Sequence, residues 1–192
     1  KMAWALFQKK ILKNSRLIHV TNYDDISTLR NFGIKTPIAM IPNGINISEF
    51  NNTLSQNDSK LSLSLNVKKK YILFLSRLHP KKGLEYLVSA WLKIAKEKKD
   101  WDLLIVGPDY NNRYTNNILK NIENDNLSHR THVKGMLVGQ KRLNAFTASN
   151  LFVLPTHNEN FGIAILEAMA SKLPVITTHG TPWQEIEQRN AG

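Results

Sequence analysis

No cysteine occurs among the 192 residues, so the chain has no disulfide framework, no thiolate metal site and no thiol nucleophile. This is compatible with a reducing compartment. Long apolar runs are missing as well: none approaches the ~18 residues that span a bilayer. The amino-terminal stretch is broken by lysines and does not read as a secretory signal peptide. No HExxH pair is present, and the six histidines are scattered. His129 and His132 flank a strand start and read as structural or exposed. No GxxxxGK[ST] loop occurs, and residues 135–141 have the wrong spacing for one. No GxGxxG follows the strand expected at residues 71–76, which weighs against a dinucleotide oxidoreductase. A GxSxG nucleophile elbow is also missing.

What remains is an ordinary globular composition, 42% hydrophobic and 21% charged, with a basic excess of +11. The excess is zoned. Residues 1–20 carry five basic side chains and no acid, residues 66–100 carry ten against three, and residues 151–192 carry two against four. Anionic partners are favoured, although lysines that solvate helix faces account for the same count. The chain starts at Lys1 and stops at Gly192 just after a helical pattern, and it reads as a fragment of a longer protein.

Residues 2–13 place Trp4, Phe7, Ile11 and Leu12 at helical spacing among lysines, a basic amphipathic pattern that suits either a domain surface or a membrane surface. A short strand at 16–21, a helix at 24–32 capped by Asn22 or Asp24, and a strand at 38–41 follow, before the turn signal Pro42-Asn43-Gly44. Residues 46–66, rich in Ser and Asn, read as a linker or long loop. Within it, 61–65 is compatible with a short strand or a helix start. Thereafter strands at 71–76, 102–106, 132–134, 151–154 and 175–178 alternate with helices at 84–98, 115–124, 141–149 and 163–171. Five strands alternating with four helices imply right-handed crossovers and an α/β fold, a doubly wound Rossmann-like parallel sheet with helices on both faces. Ligands of such sheets bind at the carboxyl ends of the strands, where the strand order reverses.

Two loops at those ends have the content of a site. Ser76-Arg77-Leu78-His79-Pro80-Lys81-Lys82-Gly83 offers a guanidinium and an ammonium just before a helix, suited to a pyrophosphate. Solvated turn lysines and a surface ion pair would give the same sequence. His157-Asn158-Glu159-Asn160-Phe161-Gly162 precedes a helix amino terminus, where orphan N–H groups favour phosphate. Gly162 removes a side chain where backbone must approach a ligand, and Glu159 could accept hydrogen bonds from sugar hydroxyls. Glu167 lies one to two turns into a helix that is apolar on nearly every face, so its charge needs a partner: a ligand, water, or a lysine on a neighbouring element.

Glu159-Asn-Phe-Gly-Ile-Ala-Ile-Leu-Glu167, followed by Ala168-Met-Ala-Ser-Lys-Leu-Pro-Val-Ile176, resembles the donor-binding signature of family-4 retaining glycosyltransferases of the GT-B architecture. Ser76-Arg77-Leu78 with Lys82-Gly83 is similar to that family's GRLxxxKG element, and Ile41-Pro42-Asn43-Gly44-Ile45 to its interdomain segment. Val133-x-Gly135 and Leu151-Phe-Val-Leu-Pro155 agree. Ser76 stands in place of a glycine, Lys172 in place of the glycine before Leu-Pro, and 179–183 replaces a more glycine-rich segment.

The resemblance implies roles and an organisation. Arg77 and Lys82 would bind the donor diphosphate and stabilise the leaving group; with Glu159 they form the expected catalytic set. Glu159 would contact the transferred sugar and Glu167 the ribose hydroxyls. Backbone groups of Asn160, Phe161, Gly162 and Ile163 would line the sugar and phosphate, with Met136, after Gly135, near the nucleobase. No metal or other cofactor is required. The donor would be a UDP- or GDP-hexose, and the acceptor a glycan or lipid-linked molecule in bacterial capsule, lipopolysaccharide or other polysaccharide biosynthesis. The expected location is cytoplasmic, with peripheral association with an anionic membrane admitted, and no nucleic acid is expected. Residues 1–45 would be the last helix–strand–helix–strand portion of the amino-terminal acceptor domain, 46–66 a linker, and 67–192 the donor-binding domain, truncated at its carboxyl end. Such a fragment would bind donor and transfer little or no sugar. The rival readings are a non-catalytic Rossmann-like ligand- or polyanion-binding module and an epimerase-like GT-B enzyme; the E-x7-E element argues against the epimerase.

Overall fold

The computed structural model describes residues 7–51, 53–110 and 112–189. These fall into two compact units, one built from residues 1–44 with Glu159–Phe161, the other from Ile45–Asn158 and the chain from Gly162 onward.

The first unit comprises α1 (Lys9–Asn14), β1 (Ile18–Val20), α2 (Tyr23–Asn31) and β2 (Ile38–Met40). The part of the expected amino-terminal helix before Phe7, Trp4 included, lies outside the described residues. β1 and β2 pair in parallel, Ile18 opposite Ile38. Ile18, Val20 and Ile34 form the core, covered by Leu12, Ile26, Leu29, Ile38 and Met40. Asn22 caps α2, its side chain accepting from the Asp25 amide at 2.9 Å, so the nearer of the two candidate caps is used. The Asn22 amide also donates to the Asn160 carbonyl, and Asn160 Nδ2 lies 3.2 Å from Thr21 Oγ1. These bonds explain why Glu159–Phe161 group with the first unit.

In the second unit the expected alternation appears as β3 (Lys70–Leu75), α5 (Leu84–Ile94), β4 (Trp101–Val106), α6 (Asn112–Asn124), β5 (Thr131–Val133), α7 (Gly139–Ala148), β6 (Leu151–Leu154), α8 (Ile163–Ala170) and β7 (Val175–Thr177), with α9 (Gln184–Gln188) beyond. All strand pairs are parallel, in the order β5-β4-β3-β6-β7. The chain steps outward from β3 to β5, then returns to the other side of β3. With right-handed crossovers α5 and α6 cover one face and α7 and α8 the other. The order reverses between β3 and β6. Helix α5 ends earlier than the expected 98 because its last turn tightens, Glu97 N bonding Ile94 O at 3.1 Å. The core is apolar and closed: Tyr71, Leu73, Phe74, Trp91, Leu103, Leu104, Phe146 and Phe152 are fully buried.

Residues 46–66, expected as a linker or long loop, carry α3 (Ser48–Asn51) and α4 (Gln56–Ser62). Ser55 caps α4, and the helix packs on α7 through Ser62 Oγ, which accepts from Asn144 Nδ2 at 2.8 Å. Its buried residues are Ser59 and Lys60. A helix that packs through polar groups leaves no apolar stripe in the sequence. Lys60 is only 4% exposed, and burial holds its ammonium below the ordinary lysine range.

The amino end of the sheet is closed by a charged cluster. Buried Asp102, near the start of β4, meets Arg130 Nε at 3.3 Å and His132 Nε2 at 3.0 Å. Arg130 stacks 5.0 Å above Trp91 and donates to the carbonyls of Ala95, Lys98 and Trp101. Neither arginine nor histidine is free for a ligand there, and the cluster is structural.

Candidate functional site

The loops leaving β3 and β6 meet at the point where the strand order reverses, and they are bonded into one surface. The Lys81 carbonyl accepts from His157 N at 2.9 Å and from Thr156 Oγ1 at 3.0 Å. Tyr86 and His157 pack edge to face with centroids 5.4 Å apart. Gly83 closes the seam: a Cβ there would sit 2.0 Å from the Pro155 carbonyl oxygen, and its φ of 69° belongs to the left-handed region. The β3 loop also runs beside the β4 loop, Leu78 N bonding Pro108 O at 3.0 Å, and Gly107 N reaches the Gly135 carbonyl after β5 at 2.8 Å. Four strand ends thus share one hydrogen-bonded floor.

On that floor Arg77 is exposed, directly after Ser76, and Lys82 is buried in the short turn Pro80–Lys82, capped by the His79 side chain. Helix α8 begins at Gly162, whose φ of 80° is left-handed. A Cβ there would lie 3.0 Å from Ile165 Cδ1 and 3.3 Å from Trp183 Nε1, so Gly162 is held by the protein's own packing. Ile163 is exposed at the first turn of α8, and Met136 is 64% exposed after Gly135. Past β7, the segment that departs from the resemblance lines a cavity of about 280 Å³ with His179, Thr181 and Trp183.

Glu167 is 4% exposed, and its partner is protein: Arg142 Nη1 of α7 donates to Glu167 Oε1. A cation on a neighbouring element therefore answers the buried charge, so burial by itself no longer requires a ligand. Arg142 escaped the sequence reading because its pairing depends on α7 and α8 sharing one sheet face, which no local spacing reveals. Arg77, Lys82, Gly135, Met136, Gly162, Ile163 and Glu167 all belong to the second unit, whereas Glu159, Asn160 and Phe161 are grouped with the first.

A reversed strand order, a cation loop at one exit and a glycine-started helix with a buried carboxylate at the neighbouring exit define a doubly wound α/β domain with a candidate ligand crevice at its strand ends. Residues 55–191 match the family Glycosyl transferases group 1, and the chain belongs to it. A probable sucrose-phosphate synthase of Thermosipho melanesiensis is 32% identical over 170 residues, covering 83% of this chain and 36% of that protein. The GDP-mannose-dependent monoacylated alpha-(1-6)-phosphatidylinositol monomannoside mannosyltransferase of Corynebacterium glutamicum is 27% identical over 200 residues, covering 95% of this chain and 51% of that one. Among solved structures, Anabaena HepE in complex with UDP and glucose superposes with a TM-score of 0.82 at 19% identity, over 93% of this chain and 48% of that one. The chain thus spans between a third and about half of the length of these proteins. The parallel five-stranded sheet and its crossovers are those of a GT-B glycosyltransferase domain. Among the described residues no helix is long and apolar enough to cross a membrane.

Proposed function

We propose that residues 67–192 are the donor-binding domain of a family-4-like, retaining hexosyltransferase, and that residues 1–45 are the end of its acceptor domain. The observation that carries this reading is the bonded floor at the strand-order reversal, which joins the loop that carries Arg77 and Lys82 to the loop after β6. Membership of the glycosyl transferases group 1 family supports it. Arg77 and Lys82 take the donor diphosphate, the amino terminus of α8 adds its partial positive charge, and Glu167 receives the ribose hydroxyls. Glu159 contacts the transferred sugar, with Asn160, Phe161, Gly162 and Ile163 lining it, and Met136, after Gly135, lies under the base.

Departure of a nucleoside diphosphate leaves two negative charges on the β-phosphate, and fixed cations stabilise that charge as it develops. No metal is needed in this reading. The full-length protein works on the cytoplasmic side of a membrane and transfers a hexose from UDP or GDP to a glycan or lipid-linked acceptor in polysaccharide or glycolipid assembly. The GDP-mannose and phosphatidylinositol in the Corynebacterium relative's name support the lipid arm, and the sucrose phosphate in the Thermosipho relative's name supports a small phosphorylated sugar as the competing product. Full-length protein assayed with UDP- and GDP-hexoses, with and without EDTA, is expected to transfer one sugar with its anomeric configuration kept and undiminished by the chelator. An inverted product, or loss of transfer with EDTA, would overturn the mechanism.

A further inference from the structure

We infer that Arg142 is a positioning residue for nucleotide binding: it fixes the Glu167 carboxylate so that its second oxygen faces the ribose of the donor. The inference rests on the donor-site reading above and adds to it a residue from another helix.

Helices α7 and α8 both start at the carboxyl end of the sheet, at Gly139 and Ile163. At about 1.5 Å of rise per residue, Arg142 lies about 5 Å and Glu167 about 6 Å into their helices, which puts the pair close beneath the floor formed by the loops. The contact joins one guanidinium nitrogen to one carboxylate oxygen, Nη1 to Oε1. A pair built for stability alone would gain from the two-pronged arrangement that Arg and carboxylate readily form. Among the described residues Oε2 has no protein partner, yet it is not one of the buried polar atoms left unsatisfied there, namely Ser59 Oγ and Thr115 Oγ1. That oxygen is therefore not fully enclosed, although the side chain as a whole is only 5% exposed. The Arg142 side chain, 31% exposed, is the wetter partner, against 5% for Glu167. Met136 and Val138, 64% and 65% exposed, present apolar side chains to solvent in the stretch leading into α7. Exposed apolar side chains suit the flat face of a base, with the hydroxyl-seeking oxygen of Glu167 held from the helix that follows them.

A carboxylate oxygen that accepts from a ribose hydroxyl makes a charge-assisted hydrogen bond, and it discriminates against a deoxy analogue only if it is held in place. The test compares binding of UDP and GDP with that of their 2′-deoxy and 3′-deoxy forms, by calorimetry, on the 192-residue chain and on its Arg142→Gln and Arg142→Lys variants, with thermal melts alongside. The wild-type chain is expected to prefer at least one ribonucleotide over a deoxy form by about tenfold or more. Arg142→Gln should reduce that preference to within about twofold, and Arg142→Lys, which keeps a cation at the carboxylate, should keep most of it. The inference is overturned if Arg142→Gln weakens ribo- and deoxynucleotides equally, or lowers the melting temperature with the preference intact. A wild-type chain that binds the ribo and deoxy forms alike also overturns it while leaving the donor site standing. A chain that binds neither UDP nor GDP instead overturns the donor-site reading itself.

Discussion

At the scale of single residues, several buried charges and phenols among the described residues are answered by protein partners, and such partners set measurable behaviour. The Tyr114 hydroxyl of α6 donates to the Glu85 carboxylate of α5. Burial first, and then the Glu85 charge, hold that phenol above its ordinary value of 10.0. Tyr71 is shifted in the same direction, mainly by burial. A folded-state value raised above the unfolded one contributes stability that is fully present below about pH 10 and is lost as pH rises through the folded value. Urea unfolding midpoints should therefore fall as pH rises from about 10 towards the raised folded value, and the fall should be shallower in Tyr114→Phe. An equal fall in that variant would show that the phenol does not carry the effect. The buried Asp102 carboxylate is likewise met by protein partners. His132, read from sequence as structural or exposed, lies against Asp102, and Arg130 is spent on backbone carbonyls and the Trp91 ring.

At the scale of elements, the site depends on how tightly the loops after β3 and β6 are joined. Gly83 faces the Pro155 carbonyl with a left-handed backbone. Gly83→Ala would add a Cβ into that oxygen and strain φ, at a cost of about 1–3 kcal/mol. Chemical denaturation should register that loss, and nucleotide affinity should fall with it as the loops separate. A variant of wild-type stability and affinity would show that the seam is not tight.

The sequence made the elements of the sheet legible because short β-branched and aromatic runs alternated with amphipathic helices, and β6 and α8 start where the residues placed them. Helix α4 was not legible: its buried face is Ser59 and Lys60, and its Ser-rich composition reads as loop. At the site, Arg77, Lys82 and Gly162 could be singled out because each sits at a strand exit or helix start. The ion pair of Glu167 could not, because Arg142 is 25 residues away and meets it only through the packing of α7 beside α8.

At the scale of the molecule, two compact units and a family match over residues 55–191 frame what the chain can do. The second unit holds most of the expected donor residues, and its opposite, amino end is closed by the structural Asp102 cluster. Donor binding is therefore the function that this chain can be asked to perform by itself. The most direct measurement is calorimetric titration of the 192-residue chain with UDP and with GDP, at low and at moderate salt, repeated on Arg77→Ala and Lys82→Ala. The account predicts one saturable site for at least one of the two nucleotides, weakened about tenfold or more by either substitution. Binding unchanged in both variants, or only a salt-steep association with polyanions such as heparin, would contradict it.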